Sequence, residues 1–316
     1  MISIVIPVYN DEKFIEECLH SVQKQTFKDF ECICLDDGSS DETVRKINEI
    51  IQEDNRFVLY QNNHKGPGWE RNYGISIAKG EYLTFMDHDD FVEPEWLESL
   101  YNLLVRTGTD IAYCSNADYF DDTKEIVNYH FPENLPESVF YEAHNVPEML
   151  TCEYFAPWRR LVKRNLVVNN NVKFAEGHFK FDDVLFTQEL IENSKSASFC
   201  DKILYYHRIF SGSITGKGMV NRDMFFEHFD TANEVIRYSK ENGKDTKLML
   251  ERMFGLFNNY LFYVDSRFRF FCKMTSLVIK NRLSLKYRIK MVYNFFKLMK
   301  FELMRPVKRI MRKVKY

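Results

Sequence analysis

Along the first 115 residues, apolar and polar positions alternate in a repeating strand-then-helix order. Residues 2–9 form a short β-branched run ending at Pro7-Val8-Tyr9-Asn10, which predicts a strand entering a loop. Over residues 12–25, Phe14, Ile15, Cys18, Leu19 and Val22 fall on one helical face. A second strand is expected over 30–35, ending at Asp36-Asp37-Gly38-Ser39-Ser40. Ser39-x-x-Glu42 reads as a capping box for a helix carrying Val44, Ile47, Ile50 and Ile51. Residues 57–61 predict a third strand, and a helix runs from about Trp69 to Gly80. Residues 81–86 predict a fourth strand that runs into Asp87-His88-Asp89-Asp90. Pro94 opens a helix with Trp96, Leu97, Leu100, Leu103 and Leu104 inward, stopped by Gly108, and residues 110–115 are a fifth strand.

Strands separated by helices predict an α/β fold, a mostly parallel sheet with helices on both faces. Ligands of such sheets bind beyond the carboxyl ends of strands, where the strand order reverses. Three polar clusters occupy predicted carboxyl ends: Tyr9-Asn10, Asp36-Asp37 and Asp87-His88-Asp89. Residues 116–215 are aromatic-rich and irregular, and the pattern turns helical beyond about Gly218. No internal repeat or low-complexity segment occurs.

Composition narrows the class. With 316 residues, 45% hydrophobic and a net charge of −3, the chain is too apolar for disorder. Twelve Gly and eight Pro are too few for a fibrous or linker-dominated protein. Seven scattered cysteines without a C-x-x-C pair point to reduced thiols in a cytosolic protein. The N-terminus lacks a basic n-region and a small-residue cleavage site, and no run reaches the roughly 18 apolar residues of a membrane span.

The small net charge conceals a block asymmetry. From Arg267 onward there are 16 Lys or Arg against one acid, while the preceding 266 residues carry 27 bases and 45 acids. The basic segment interleaves Phe268, Phe270, Phe271, Met274, Leu277, Tyr287, Ile289, Phe295 and Phe296 with its cations. Basic amphipathic helices suit an anionic bilayer face, each near-surface Lys or Arg adding about 1 kcal/mol. The other reading is a helical subdomain packed on the acidic body. Nucleic acid is not expected, because no reading module is present.

Each candidate site has a plain structural alternative. Asp87-His88-Asp89-Asp90 offers hard oxygen ligands for Mg²⁺ or Mn²⁺, or a solvated loop before Pro94. Asp37 can serve a ligand or a turn, Pro7 and Tyr9 can be strand-end packing, and Arg71 can bind phosphate or lie on the surface.

Taken in order, the motifs resemble family-2 inverting glycosyltransferases of GT-A fold, enzymes of the type that builds bacterial surface polysaccharides. The residues carrying the resemblance are Ser3–Asn10, Gln25-Thr26-Phe27, Leu35–Asp41, Arg71-Asn72-Tyr73-Gly74, Ala78–Tyr82 and Asp87–Asp90. Phe174-Ala175-Glu176-Gly177, Asp182-Asp183, Tyr205–Arg208 and Gly212-Ser213 follow. The match covers roughly residues 1–215, expected as the GT-A domain, with 216–316 as a helical, basic C-terminal region. The resemblance implies that Tyr9, beside Pro7, stacks on uracil and that Asp37 accepts from the base or ribose. Asp87 would lie against ribose and metal, and Asp89 would bind the Mn²⁺ or Mg²⁺ that bridges the diphosphate. Arg71, His88 and Arg208 would contact the diphosphate, metal or lid. Asp183 would be the base, although Ala175 stands where the family has Pro and Asp182 where it has Glu. Trp158 is either a platform for the acceptor sugar or core, and Arg160 stands where the family has Lys.

The expectation is inverting, metal-dependent transfer of a hexose from a UDP-sugar to a glycan hydroxyl. The acceptor would be lipid-linked, at the cytoplasmic face of the membrane, with 267–316 as the membrane contact. Two rivals are a nucleotidylyltransferase, which Pro7–Asp11 argues against for want of a Gly-rich basic loop, and a non-catalytic glycan-binding protein, which has no need of Asp37, Asp87, Asp89 and Asp183.

Overall fold

The structure, a computed structural model, describes residues 1–131, 133, 135–141, 156–176 and 182–213, with isolated positions between Asn233 and Tyr293. The chain divides into two compact units, Met1–Lys217 and Gly218–Tyr316. The expectation of a basic amphipathic region over 267–316 falls outside the described residues, apart from single helical positions such as Ile289 and Tyr293. Among the described residues no helix is long and apolar enough to cross a membrane.

The first half follows the predicted alternation: β1 (Ile2–Val8), α1 (Ile15–Gln23), β2 (Phe30–Asp36), α2 (Thr43–Glu53), β3 (Phe57–Gln61), α3 (Pro67–Ile77) and β4 (Tyr82–Phe85). All four strands are parallel, in the order β3-β2-β1-β4. Strands buried on both faces read as continuous apolar runs. In β1, Ile2, Ile4, Ile6 and Val8 pack towards α1, while Val5 joins Ile33, Leu35 and Phe85 in the opposite core. Because β2 and β3 lie to one side of β1 and β4 to the other, the strand order reverses between β1 and β4. A ligand crevice is expected at the carboxyl ends of those two strands.

Pro7 is buried within β1 in register with Leu35. Proline cannot donate to a ladder. Val5 O accepts from Met86 N at 3.1 Å and Val8 O from Asp37 N at 2.9 Å, so odd positions face β4. The ladder to β4 ends at Val5–Phe85, leaving position 7 with no donor to supply.

The second half departs from the simple parallel pattern. It comprises β5 (Phe91–Val92), α4 (Trp96–Thr107), β6 (Ile111–Phe120), β7 (Glu125–Tyr129), β8 (Ser138–Phe140), β9 (Arg160–Lys163), α5 (Arg164–Asn169), α6 (Asp182–Asn193) and β10 (Ser196–Ile209). The path continues β4-β9-β6-β10-β5, and only β6 with β10 is parallel there. The region read as irregular thus supplies strands in the middle of the sheet. A bulge in β10 between Cys200 and Tyr205 re-aims the strand just before its site-facing residues. The capping box at Ser39 does not form: α2 begins at Thr43, and Ser39 N instead donates to Asp36.

Candidate active site

The loops after β1 and β2 are stitched together. Ser39 Oγ accepts from Asn10 N at 2.8 Å, Asn10 Oδ1 from Ser40 N at 2.8 Å, and Thr43 Oγ1 from Asp11 N at 2.8 Å. This cross-bracing holds Asn10 at a φ of 47° and leaves Tyr9 exposed, with its ring 4.9 Å from that of His64. Asp37 is buried, and its carboxylate accepts from Lys65 N and from Gly66 N at 2.9 Å. It therefore organises the loop leading into α3, and His64 of that loop lies between it and Tyr9, with Nδ1 3.6 Å from Asp37 Oδ2.

Across the reversal point, His88 Nδ1 lies 3.0 Å from Asp11 Oδ2, joining the loops after β4 and β1. Burial opposes a charge on His88, but the Asp11 carboxylate and the charges of Asp89 and Asp87 outweigh it and push the imidazole up to about 9.

The four residues 87–90 have four different environments. Asp87 Oδ1 accepts from Arg71 Nη2 at 2.7 Å, and its backbone N donates to Tyr205 Oη at 3.2 Å. Asp90 is fully buried and accepts from Tyr205 Oη and from Arg208 N at 2.8 Å, so it braces the loop from below. Burial, with the Asp89 charge added, raises its carboxyl well above the usual range. The Asp89 carboxyl is also raised, by burial and by the charges of Asp87 and Asp11, although His88 opposes this.

Arg71 and Arg208 are both buried. Arg71 Nη1 reaches Asp182 Oδ2 at 2.6 Å while Nη2 holds Asp87, so one guanidinium ties the loop after β4 to the start of α6. Arg208 donates from Nε to Asp89 O at 2.7 Å, from Nη1 to Asp121 at 2.8 Å and from Nη2 to Glu17 at 2.6 Å. Its guanidinium supports the loop backbone. His207 Nδ1 lies 3.0 Å from Asp118; burial disfavours its charge, but Asp118 and the charges of Asp90 and Asp89 push it up to about 9.

At the first turn of α6, Asp183 Oδ1 is buried with no hydrogen-bond partner among the described residues. Burial and the adjacent Asp182 charge push its carboxyl up to about 8. A carboxyl held in this way is a strong proton acceptor once ionised. Trp158 is buried, stacked on Tyr205 with centroids 4.3 Å apart, and belongs to the core.

Sequence reasoning missed Asp11, Tyr205 and Asp118 as supports of this site. Asp11 carried a signal as the residue two beyond Tyr9 at a strand end, and Tyr205 as the first residue of the Tyr205–Arg208 motif; Asp118 carried none.

The donor set suits a hard divalent cation. Among the described residues no group of three or more His, Cys, Asp and Glu is gathered at metal-binding geometry. Asp87 and Asp89 are the carboxylates of the loop after β4 that could hold such an ion, since Mg²⁺-type sites combine one or two carboxylates with substrate phosphates.

The reversed strand order and the acidic loops place a candidate ligand site at the carboxyl ends of β1 and β4. The family model for glycosyl transferase family 2 matches residues 3–179, and the chain belongs to that family. It is 31% identical over 224 residues to glycosyltransferase GlyG of Streptococcus pneumoniae, covering 68% of this chain and 72% of that protein. It is 32% identical over 214 residues to the poly(ribitol-phosphate) beta-glucosyltransferase of Bacillus spizizenii, covering 66% of this chain but 32% of that protein. The backbone is similar to TarS 1-349 of S. aureus in complex with UDP-GlcNAc, with a TM-score of 0.65 at 21% identity, covering 88% and 81% of the two chains. It is also similar to the mannosyltransferase PcManGT from Pyrobaculum calidifontis in complex with GDP-Man and Mn²⁺, with a TM-score of 0.55 at 14% identity over 92% and 83%. These likenesses establish the GT-A fold.

Proposed function

We propose that the chain transfers a hexose from a UDP-sugar to a hydroxyl of a glycan, with inversion, Asp183 acting as base. The observation that carries this reading is the double ion pair of Arg71. It holds Asp87, at the diphosphate end of the crevice, against Asp182, beside the candidate base.

In this reading Tyr9 and Asp37 meet the uracil and ribose. Asp87 and Asp89 would hold Mn²⁺ or Mg²⁺, whose charge stabilises the leaving diphosphate. The acceptor oxygen attacks the anomeric carbon and its proton passes to a carboxylate oxygen of Asp183. The bond from that carbon to the UDP oxygen breaks on the opposite face, giving inverted product and UDP. The contacts of Arg71, His88 and Arg208 with carboxylates make them organisers of the crevice rather than free anion ligands. The similarity to poly(ribitol-phosphate) glycosyltransferases supports a polymer as acceptor. The UDP-GlcNAc complex of TarS supports a UDP-sugar donor. Residues 216–316 are the C-terminal region of this reading, with 267–316 as the contact with an anionic membrane face.

The test pairs ligand binding with turnover. UDP with Mn²⁺ at about 100 times its dissociation constant is expected to stabilise the protein by about 2.7 kcal/mol, with GDP and CDP giving less. Asp183→Asn is expected to lower UDP release from the productive UDP-sugar at least about 100-fold while leaving that stabilisation in place. Unchanged turnover would remove Asp183 as base, and a shift with GDP alone would overturn the donor.

A further inference from the structure

Glu70 is an acid with no place in the reaction just described, yet it lies beneath the nucleotide end of the crevice. It sits in the first turn of α3 and is fully buried. Its Oε2 accepts from Asn62 Nδ2 at 2.7 Å, and Asn62 N donates to Asp36 O at 2.8 Å. Its own N bonds Gly66 O at 3.1 Å. Oε1 is buried and unbonded in this arrangement, and Asp37 stands within reach of a carboxyl-to-carboxylate hydrogen bond.

The same loop is what Asp37 holds from the other side, through Lys65 N and Gly66 N, with His64 Nδ1 3.6 Å from Asp37 Oδ2. His64 in turn carries the ring beside Tyr9. Two carboxyls this close share a proton rather than both ionising. The charged and titratable groups around Glu70 are Asp36 and Asp37 from the end of β2, His64 and Lys65 from the loop, and Arg71 from its own helix. Arg71 is already paired with Asp87 and Asp182. Burial, reinforced by Asp37 and Asp36 and only partly offset by Asn62, pushes the Glu70 carboxyl up to about 8, so it keeps its proton at neutral pH.

We propose that Glu70 is a positioning residue for nucleotide recognition: its carboxylic acid hydrogen-bonds the Asp37 carboxylate from the buried side and, through Asn62, fixes loop 62–66, so that Asp37 and the Tyr9–His64 ring pair meet the base in one arrangement. This rests on the reading that Asp37 faces the nucleotide. Loss of the proton sets two buried carboxylates against each other and loosens the loop, so affinity falls as pH rises through the Glu70 range. Glutamine keeps a donor for Asp37 and an acceptor for Asn62, and it cannot ionise.

The experiment measures the affinity of the full chain for UDP with Mn²⁺, by calorimetry, at about pH 6.5 and about pH 9. The wild type is expected to lose at least about fivefold in affinity between the two, and Glu70→Gln less than about twofold. The Gln variant also controls for ionisation of the ligand itself. Glu70→Met, which keeps the volume, is expected to bind at least about tenfold more weakly at both pH values, with the thermal midpoint reporting its folding separately. Equal pH dependence in wild type and Glu70→Gln, or wild-type affinity in Glu70→Met, overturns the proposal. Asp37→Asn separates the two layers: full affinity there removes the nucleotide reading of Asp37 and this proposal with it. Weakened binding in Asp37→Asn with an unaltered Glu70→Gln profile removes the proposal alone.

Discussion

The Arg71 bridge makes a quantitative prediction that separates support from ligand binding. Its side chain is 8% exposed, as is that of Asp182, whereas Asp87 is 32% exposed. The guanidinium also lies 5.3 Å from the centroid of Phe174. Replacing it with methionine keeps most of the volume but takes the cation from both buried Asp182 and the more exposed Asp87. Breaking a buried ion pair by removing one partner costs about 3–5 kcal/mol. The Asp182 contact deserves that range, and the more exposed Asp87 contact adds little because water screens it. We therefore expect Arg71→Met to lose about 3–4 kcal/mol. For a folding unit of this size that is a fall of about 6–16 °C in Tm, read by calorimetry or circular dichroism. Adding Asp182→Asn removes the stranded charge and is expected to restore part of the loss, with a coupling of about 1–3 kcal/mol in the double-mutant cycle. A diphosphate ligand with no structural duty behaves differently: donor KM rises and Tm stays put. A Tm for Arg71→Met within about 2 °C of wild type would refute the bridge.

Two further outcomes follow from the geometry. Gly74 lies where α3 crosses β1, and a Cβ there would collide with Val5 and press on Leu35. Gly74→Ala is therefore expected to destabilise by about 1–3 kcal/mol despite alanine's better helix propensity, and an unchanged or raised Tm would contradict that packing. For Asp183, a raised folded-state pKa means that stability from its protonated form is present at low pH and is lost as pH rises through about 8. In metal-free buffer Asp183→Asn should match the wild type near pH 5 and exceed it by at least about 1 kcal/mol near pH 9 in urea unfolding; the same difference at both would show that the carboxyl is not held up.

The parallel half of the sheet was legible because its chemistry is regular. Strands such as Ile2–Val8 are apolar except at Ser3, helices such as Trp96–Thr107 have a clean inward face, and Gly108 closes α4 at a φ of 68°. The other half was not legible, because its strands break the patterns used to find them. β5 is two residues long, β9 opens with the buried Arg160, and β10 carries Asp201 and Lys202 through its bulge. Such strands are fixed by partners distant in sequence, not by local alternation. Trp158 shows the same limit: an aromatic beside Arg159 and Arg160 can be a platform or core, and only its stacking on Tyr205 decides.

Within the site, the acids were legible as a group, but their duties were not. Asp89 and Asp90 are neighbours of identical chemistry, yet the Asp90 carboxylate accepts from two donors beneath the loop, while Asp89 is held there through its backbone carbonyl by Arg208. Burial and donors make that difference, and neither is local to the sequence. The cations complete the argument. Among the described residues around the crevice, Arg71 pairs with Asp87 and Asp182, Arg208 with Glu17 and Asp121, His88 with Asp11, and His207 with Asp118. Each of these positive charges is matched to a carboxylate, while Asp89 and Asp183 are raised by burial against the charge around them. A diphosphate entering such a site meets cations already paired with carboxylates, and its binding calls for positive charge that arrives with it. A divalent cation held by Asp87 and Asp89 would meet that requirement with oxygen donors. In the proposed reaction that is the part assigned to Mn²⁺ or Mg²⁺, and the pairing of the cations around the crevice is the reason for assigning it.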